Sequence, residues 1–323
     1  AFQYPVDVAG VSNVTFLLQE APRFTVAYGV RWESEVGLSA LVDVADRSVL
    51  GRGLEAALRA RWEPDDRSGR LLFKVPAIRE GRFSLEAYAE RRRRIDDDGF
   101  VTDSNTGALQ LSRPLISDLT ARVYARYSDV HLYEETPDPF FPFDLRIKHP
   151  YLGLQLVRDT RQDPVLGIHG MLASLDLSGS GPWLGSDYRY VRAYGQLNLF
   201  LPLGELGGLP LAWASSYRAG TARTFGGQEL LTDIRFKTGG EYSVRGYPFE
   251  SLGPRLEAGG KLLTAGGTAV LVVNQELRAT LPWFDLIGLA FVDVGQVWAE
   301  RADFGRDLAK SVGLGLRATT PVG

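Results

Sequence analysis

The chain has no cysteine, a single methionine and three histidines, His131, His149 and His169, among 323 residues. Without cysteine neither a disulfide scaffold nor a thiolate metal site can be built. No His-Glu-x-x-His pair replaces it, so no metal site is expected. Charge of one sign is equally scarce: 36 Lys and Arg stand against 39 Asp and Glu. No general cationic field exists to hold nucleic acid against salt, and nucleic acid is not an expected partner. Long apolar runs are missing too, since Ile287 to Val292 falls far below the roughly 20 residues of a membrane-spanning helix. If the chain meets a membrane, it does so as strands. Its start, Ala1-Phe2-Gln3-Tyr4-Pro5, lacks the basic and apolar regions of a signal peptide and reads as a mature chain or a fragment. The lack of free thiols permits passage through an oxidising periplasm without proving it.

What is present is β patterning. With 36 Gly, 13 Tyr, 6 Trp and 45% hydrophobic residues, the composition is that of a Gly- and aromatic-rich β protein. From Arg23 onward apolar residues alternate with polar ones in segments of about ten residues, the length of a tilted membrane strand. In the first, Phe24, Val26, Tyr28, Val30 and Trp32 share one face, while Thr25, Ala27, Gly29 and Arg31 share the other. Val36 to Val44 and Leu54 to Trp62 repeat the pattern. Further segments follow at Leu71 to Val75, Phe83 to Ala89, Leu109 to Leu111 and Leu119 to Tyr127, then at about 150–159, 165–177, 187–201 and 209–220. Three more lie at about 268–281, 286–298 and 311–320, giving about 14 strands.

Alternate connections are short (Asp46 to Arg52, Ala77 to Gly81, Pro114 to Asp118, Arg161 to Pro164). Those between are longer: Ile95 to Asn105, His131 to His149, and above all about Thr221 to Gly267. Short turns at one rim and long loops at the other describe an outer-membrane barrel. A soluble β sandwich would also alternate, but its strands usually run to five or six residues. The expectation is an all-β fold, an antiparallel transmembrane β-barrel over 23–323, with an inward-folding loop at about 221–267. Residues 1–22, in which Val14, Phe16 and Leu18 alternate, read as the end of a preceding domain and its linker.

Catalytic chemistry is thin. Gly259-Gly260-Lys261 fails as a phosphate loop, because Leu262 follows the lysine and Arg255 stands where the first glycine is required. His131 and His149 read as solvated loop residues. The run Arg91 to Arg94, followed by Asp96 to Asp98, reads as a strand end meeting lipid head groups and water. No enzyme activity and no cofactor are expected.

The informative constellation lies in the largest loop: Gly239-Gly240-Glu241-Tyr242-Ser243-Val244-Arg245-Gly246-Tyr247, then Ser251-Leu252-Gly253-Pro254. If Asp293 and Glu276 face the lumen, alternation turns Val292, Val294, Leu277 and Ala279 to lipid. Arg245 at the tip of an infolded loop would then grip both carboxylates with its planar fork. Glycines beside it allow a tight reversal, and Tyr247 would pack on the wall. The plain alternative is a surface-loop arginine without a partner.

This loop resembles the Val-Arg-Gly-Phe/Tyr loop of the BamA and TamA superfamily of outer-membrane assembly proteins. Phe291-Val292-Asp293-Val294-Gly295 resembles that family's Phe-x-Asp-x-Gly strand, and Asn274-Gln275-Glu276-Leu277-Arg278 the strand before it. Leu18 to Thr25 resembles the passage from the final POTRA domain into strand one. The resemblance implies a barrel of sixteen strands, two more than are read here, in the outer membrane of a Gram-negative bacterium or an organelle of bacterial descent. It implies a loop motif of Ser243, Val244, Arg245, Gly246 and Tyr247 on wall residues Glu276, Phe291, Asp293 and Gly295. It implies insertion of outer-membrane or autotransporter precursors through a lateral seam beside strand one, Phe24 to Trp32. Within the family the loop is closer to TamA, which implies a periplasm-spanning TamB-like partner. Two readings stay open beside it: a BamA-like core insertase, and a polypeptide-secretion pore of the two-partner type.

Overall fold

A computed structural model of the protein describes residues 22–33, 37–79, 81–95, 100–136, 143–162, 169–186, 188–231, 234–258, 261–281 and 286–318. The expected domain end at 1–22 lies outside these, Pro22 excepted, as does the chain end at 319–323.

Among the described residues fourteen strands form one antiparallel sheet in which each strand pairs with the sheet strand before and after it in the chain. They are β1 (Phe24–Glu33), β2 (Gly37–Val49), β3 (Leu54–Trp62), β4 (Asp66–Ile78), β5 (Phe83–Ile95), β6 (Phe100–Ile116) and β7 (Leu119–Glu134). β8 (Asp144–Asp159), β9 (Gly170–Ser180), β10 (Tyr190–Leu206) and β11 (Leu209–Thr224) follow. The long loop contains a separate hairpin, β12 (Arg255–Ala258) with β13 (Lys261–Thr264), before the sheet resumes in β14 (Ala269–Leu281), β15 (Leu286–Trp298) and β16 (Ala309–Ala318). Among the described residues β1 and β16 are the two edges, and no pairing joins them.

The expected faces follow the pleat. Val26, Tyr28, Val30 and Trp32 of β1 are each at least 65% exposed. On β2 Val42 and Val44 stand on the same outward face, opposite Tyr28 and Val26 in register. Apolar side chains turned away from a curled sheet are stable only against lipid, which is how a membrane barrel presents itself. The inner face carries ionic ladders instead. Arg59 holds Asp43 across β3 and β2 at 2.8 Å, and Arg70 holds Glu90 across β4 and β5 at 2.5 Å. The short rim turns tightly: Gly207 and Gly208 both take positive φ (60° and 79°) between the paired Leu206 and Leu209, a two-residue hairpin that residues with a Cβ adopt only with strain.

Several boundaries correct the sequence reading. β5 runs on to Ile95 and β6 begins at Phe100, so Ile95 and 100–105 of the loop expected at Ile95 to Asn105 are strand, and 96–99 lie outside the described residues. β7 and β8 likewise extend into the span expected as loop from His131 to His149. Hydropathic alternation stops where a strand leaves hydrocarbon, but its backbone groups still need partners, so the hydrogen-bonded ladder continues. Neither histidine is therefore a solvated loop residue. His149 is 1% exposed and stacks on Tyr151, while His131 on β7 lies 2.9 Å from Asp144. β9 is described from Gly170, and the expected strand start at 165 and the end of the short link at Pro164 lie outside the described residues.

The apolar core sits inside the curl. Leu230, Leu231, Ile234, Phe236, Val244 and Leu252 of the long loop pack on Tyr190, Ala222, Val270, Val272 and Val297 of the wall. Hydrophobic burial thus pulls this loop inward before any polar contact is counted.

Candidate functional site

Arg245 stands at the tip of the infolded loop, in a turn that Gly246 closes with φ at 86°. Its guanidinium reaches two carboxylates on adjacent strands. Nε and Nη2 donate to the two oxygens of Asp293 on β15 at 2.6 Å each, and Nη1 donates to Glu276 on β14 at 2.6 Å. The backbone N–H of Arg245 adds a bond to Asp293 at 3.1 Å. The planar fork thus engages one carboxylate bidentately and keeps a nitrogen for the second, which a lysine has no geometry to do. Asp293 is fully buried and Glu276 is 8% exposed. Burial works against the Arg245 charge, but its bonds to Asp293 and Glu276 outweigh that and hold its pKa above the ordinary arginine value.

The strand pairing explains why two carboxylates meet. Asn274 lies opposite Asp293 and Glu276 opposite Phe291, so all four share the lumenal face. Val292 and Leu277 then face out and are exposed. Phe291 places its ring 3.6 Å from the guanidinium carbon, a cation–π contact from the same wall. The bare Gly313 of β16 backs that ring: a Cβ there would come within 2.5 Å of it.

Gly295 has a different role. A Cβ there would stand 2.8 Å from Val244 Cγ2 and 2.9 Å from the Leu271 carbonyl, so the missing side chain lets fully buried Val244 seat on the wall. Ser243 works within the loop, where its hydroxyl accepts the Gly239 N–H at 2.8 Å and its carbonyl accepts from Asn274 at 2.5 Å. Tyr247 reaches the opposite way, its hydroxyl 3.4 Å from the carbonyl of Lys310 on β16.

Further residues complete the site. Arg278, two positions along β14, donates to Glu276 at 2.7 and 2.8 Å. Alternation alone puts it on the face of Glu276, so this signal was readable. Arg218 of β11 bridges the Tyr242 carbonyl and Asn274 at 2.6 Å each. Arg31 of β1 donates to the Tyr242 hydroxyl at 2.6 Å, which ties strand one to this loop. The outward members, Phe24, Val26, Tyr28, Val30 and Trp32, take no part in the cluster. Glu250 accepts from Arg94 of β5 at 3.2 Å and from Lys237 at 3.1 Å. Between this loop and the β1–β5 wall lies a cavity of about 1280 Å³, bordered by Arg31, Arg61, Arg92, Glu241 and Tyr242. Among the described residues no three His, Cys, Asp or Glu side chains gather to hold a metal.

The geometry is that of a loop pinned inside a curled sheet, and related proteins share the fold. A structure of BamA from Haemophilus ducreyi lacking POTRA domains 1–3 superposes with a TM-score of 0.82 at 17% identity, covering 99% of this chain and 69% of that one. CdiB from Acinetobacter baumannii gives 0.66 at 18% identity, covering 99% and 59%. In sequence, the outer membrane protein assembly factor BamA of Neisseria meningitidis serogroup B is 24% identical, over 83% of this chain and 36% of its own length. BamA of Nitratidesulfovibrio vulgaris is 25% identical, over 87% and 35%. The chain thus spans about a third of these relatives. Residues 49–323, which hold every strand from β3 onward together with Arg245, Glu276 and Asp293, match the Omp85 superfamily domain, and the chain belongs to that superfamily.

Proposed function

We propose that this chain is the outer-membrane barrel of a protein-assembly factor that folds and inserts β-barrel or autotransporter precursors at a seam beside β1. The observation that carries the reading is the placement of the pinned loop against both sheet edges. Tyr242 is tied to Arg31 of β1, and three residues later Arg245 lies on Phe291, whose ring covers Gly313 of β16. Strand β1 pairs with β2 on one side and with nothing on the other among the described residues. A free edge offers N–H and C=O groups to an incoming strand, as in β-augmentation. The client's own hydrogen bonding and lipid burial supply the driving force, without nucleotide, cofactor or catalytic residue.

In this reading POTRA-type domains precede residue 23, the loop motif Ser243 to Tyr247 with Ser251 to Pro254 supports the TamA-like branch over the BamA-like one, and a periplasm-spanning TamB-like protein is its partner. The lumenal cavity beside β1 favours one second reading, a secretion pore through which the client threads.

The absence of cysteine makes the test clean. Single cysteines at Thr25 to Arg31 of the full-length protein are crosslinked to single-cysteine precursors arrested in cells. Crosslinks to a client's terminal strand in one register support templated insertion. Crosslinks confined to lumenal positions such as Glu276 replace it with the secretion reading.

A further inference from the structure

The pleat splits the run Arg91 to Arg94 in two. Arg92 and Arg94 face the lumen, where Arg92 holds Asp66 at 2.8 Å and Arg94 holds Glu250 at 3.2 Å. Arg91 and Arg93 face outward and are exposed. Pairing registers extend this outward face across five strands. One row reads Arg67, Arg93, Asp103, His131 and Arg146; the row beneath reads Gly69, Arg91, Asn105, Asp129 and Lys148. The next row down, Leu71, Ala89, Gly107, Tyr127 and Pro150, opens the apolar band.

The charges in these rows do not balance. Asp129 is taken bidentately by Arg146 at 2.7 and 2.9 Å, and Asp103 accepts from Tyr133 at 3.0 Å. Arg67, Arg91 and Lys148 have no ion-pair partner among the described residues, and Arg93 has only Glu135 at 4.0 Å. Arg67 moreover stands directly opposite Arg93 on the same face, and like charges so placed repel. The floor beside them is bare, with open space around Gly69 and Gly107.

We propose that this outward patch at the long-loop end of β4–β6 binds the phosphate of a membrane lipid, seated between Arg67, Arg91 and Arg93 with its acyl chains on the apolar rows below. A phosphate relieves the arginine repulsion and accepts from three planar forks at once. The apolar band directly beneath selects a lipid over a free anion, because only an amphiphile satisfies both rows. The surface faces away from the lumen and is independent of how clients are handled.

The test titrates detergent-solubilised full-length protein with diphosphoryl lipid A and counts adducts by native mass spectrometry. Heat-modifiable gel mobility verifies folding. The wild type should retain one lipid, and R67Q/R91Q/R93Q should bind it at least about tenfold more weakly, the scale of one lost strong contact. The phosphate-free lipid should bind the wild type as weakly as diphosphoryl lipid A binds the variant. R47Q/R52Q, at the opposite rim, should behave as wild type. Should the triple variant not fold, R91Q is measured alone and must show a clear loss. Equal retention by the triple variant or by R91Q, an equal loss in R47Q/R52Q, or inorganic phosphate binding as tightly as the lipid would each overturn the proposal.

Discussion

Asp293 accepts three hydrogen bonds from one residue, Arg245: two from the guanidinium and one from the backbone N–H. The bond from the main chain fixes the turn itself to β15, so loop conformation and side-chain pairing are one event. Removing the arginine side chain leaves Asp293 buried with only that N–H and Asn274, whose side-chain amide donates at 2.8 Å.

Arg245→Ala should therefore release the loop from the wall. Breaking one partner of a buried pair costs about 3–5 kcal/mol. Limited proteolysis should cut between Gly239 and Gly253 in the variant and leave the wild type intact. Arg245→Lys should fall between, since an ammonium keeps the charge and loses the fork. Equal protease resistance in all three would refute a pinned loop.

Gly295→Ala should unseat Val244. The added methyl meets Val244 Cγ2 at 2.8 Å, and overpacking of this kind costs roughly 1–3 kcal/mol. Val244→Ala in the same chain should restore part of the loss, but not all, because the Leu271 carbonyl at 2.9 Å is backbone and stays. Denaturant midpoints of the two single variants and the double variant measure the coupling.

Tyr242→Phe should loosen β1 while leaving the loop in place. The substitution removes the hydroxyl that Arg31 contacts at 2.6 Å and touches none of the bonds from Arg245. A hydrogen bond to a charged group contributes about 1.5–3 kcal/mol, less where water competes. Faster amide exchange in Phe24–Glu33, with unchanged exchange in β14, is the expected pattern; unchanged β1 exchange would sever the proposed link between loop and edge.

Arg91→Gln and Arg92→Gln should differ although the residues adjoin. Arg92 holds Asp66 on the lumenal face, so its loss should lower stability by about 1 kcal/mol, as befits a half-exposed pair. Arg91 has no ion-pair partner among the described residues, and its loss should leave the denaturant midpoint unchanged. Equal destabilisation by both would mean that the register of β5 differs from the one described.

Much of the site was legible before folding because it lies on strands. Once Asp293 and Glu276 are placed inside, the period of two turns Val292 and Leu277 outward, and the structure places them so. Arg278 could have been added by the same rule. Arg218 and Arg31 could not, since which loop atom each meets depends on how far the sheet curls. The hairpin β12–β13 also escaped, because its four-residue strands are too short to display a period.

The sequence alone determined the strand faces and the count of fourteen. Alternation, turn chemistry and loop length are local properties that survive without neighbours. Tertiary structure alone decided where the strands end and what the loop touches. Beyond the hydrocarbon band hydropathy no longer distinguishes the two faces, while backbone groups still demand partners, so β5, β6, β7 and β8 continue through residues that look like loop. The contact between Arg31 and Tyr242 joins residues 211 positions apart, and no local pattern encodes it. It exists because the curl of the whole sheet brings β1 round to the loop that the apolar core has drawn inside.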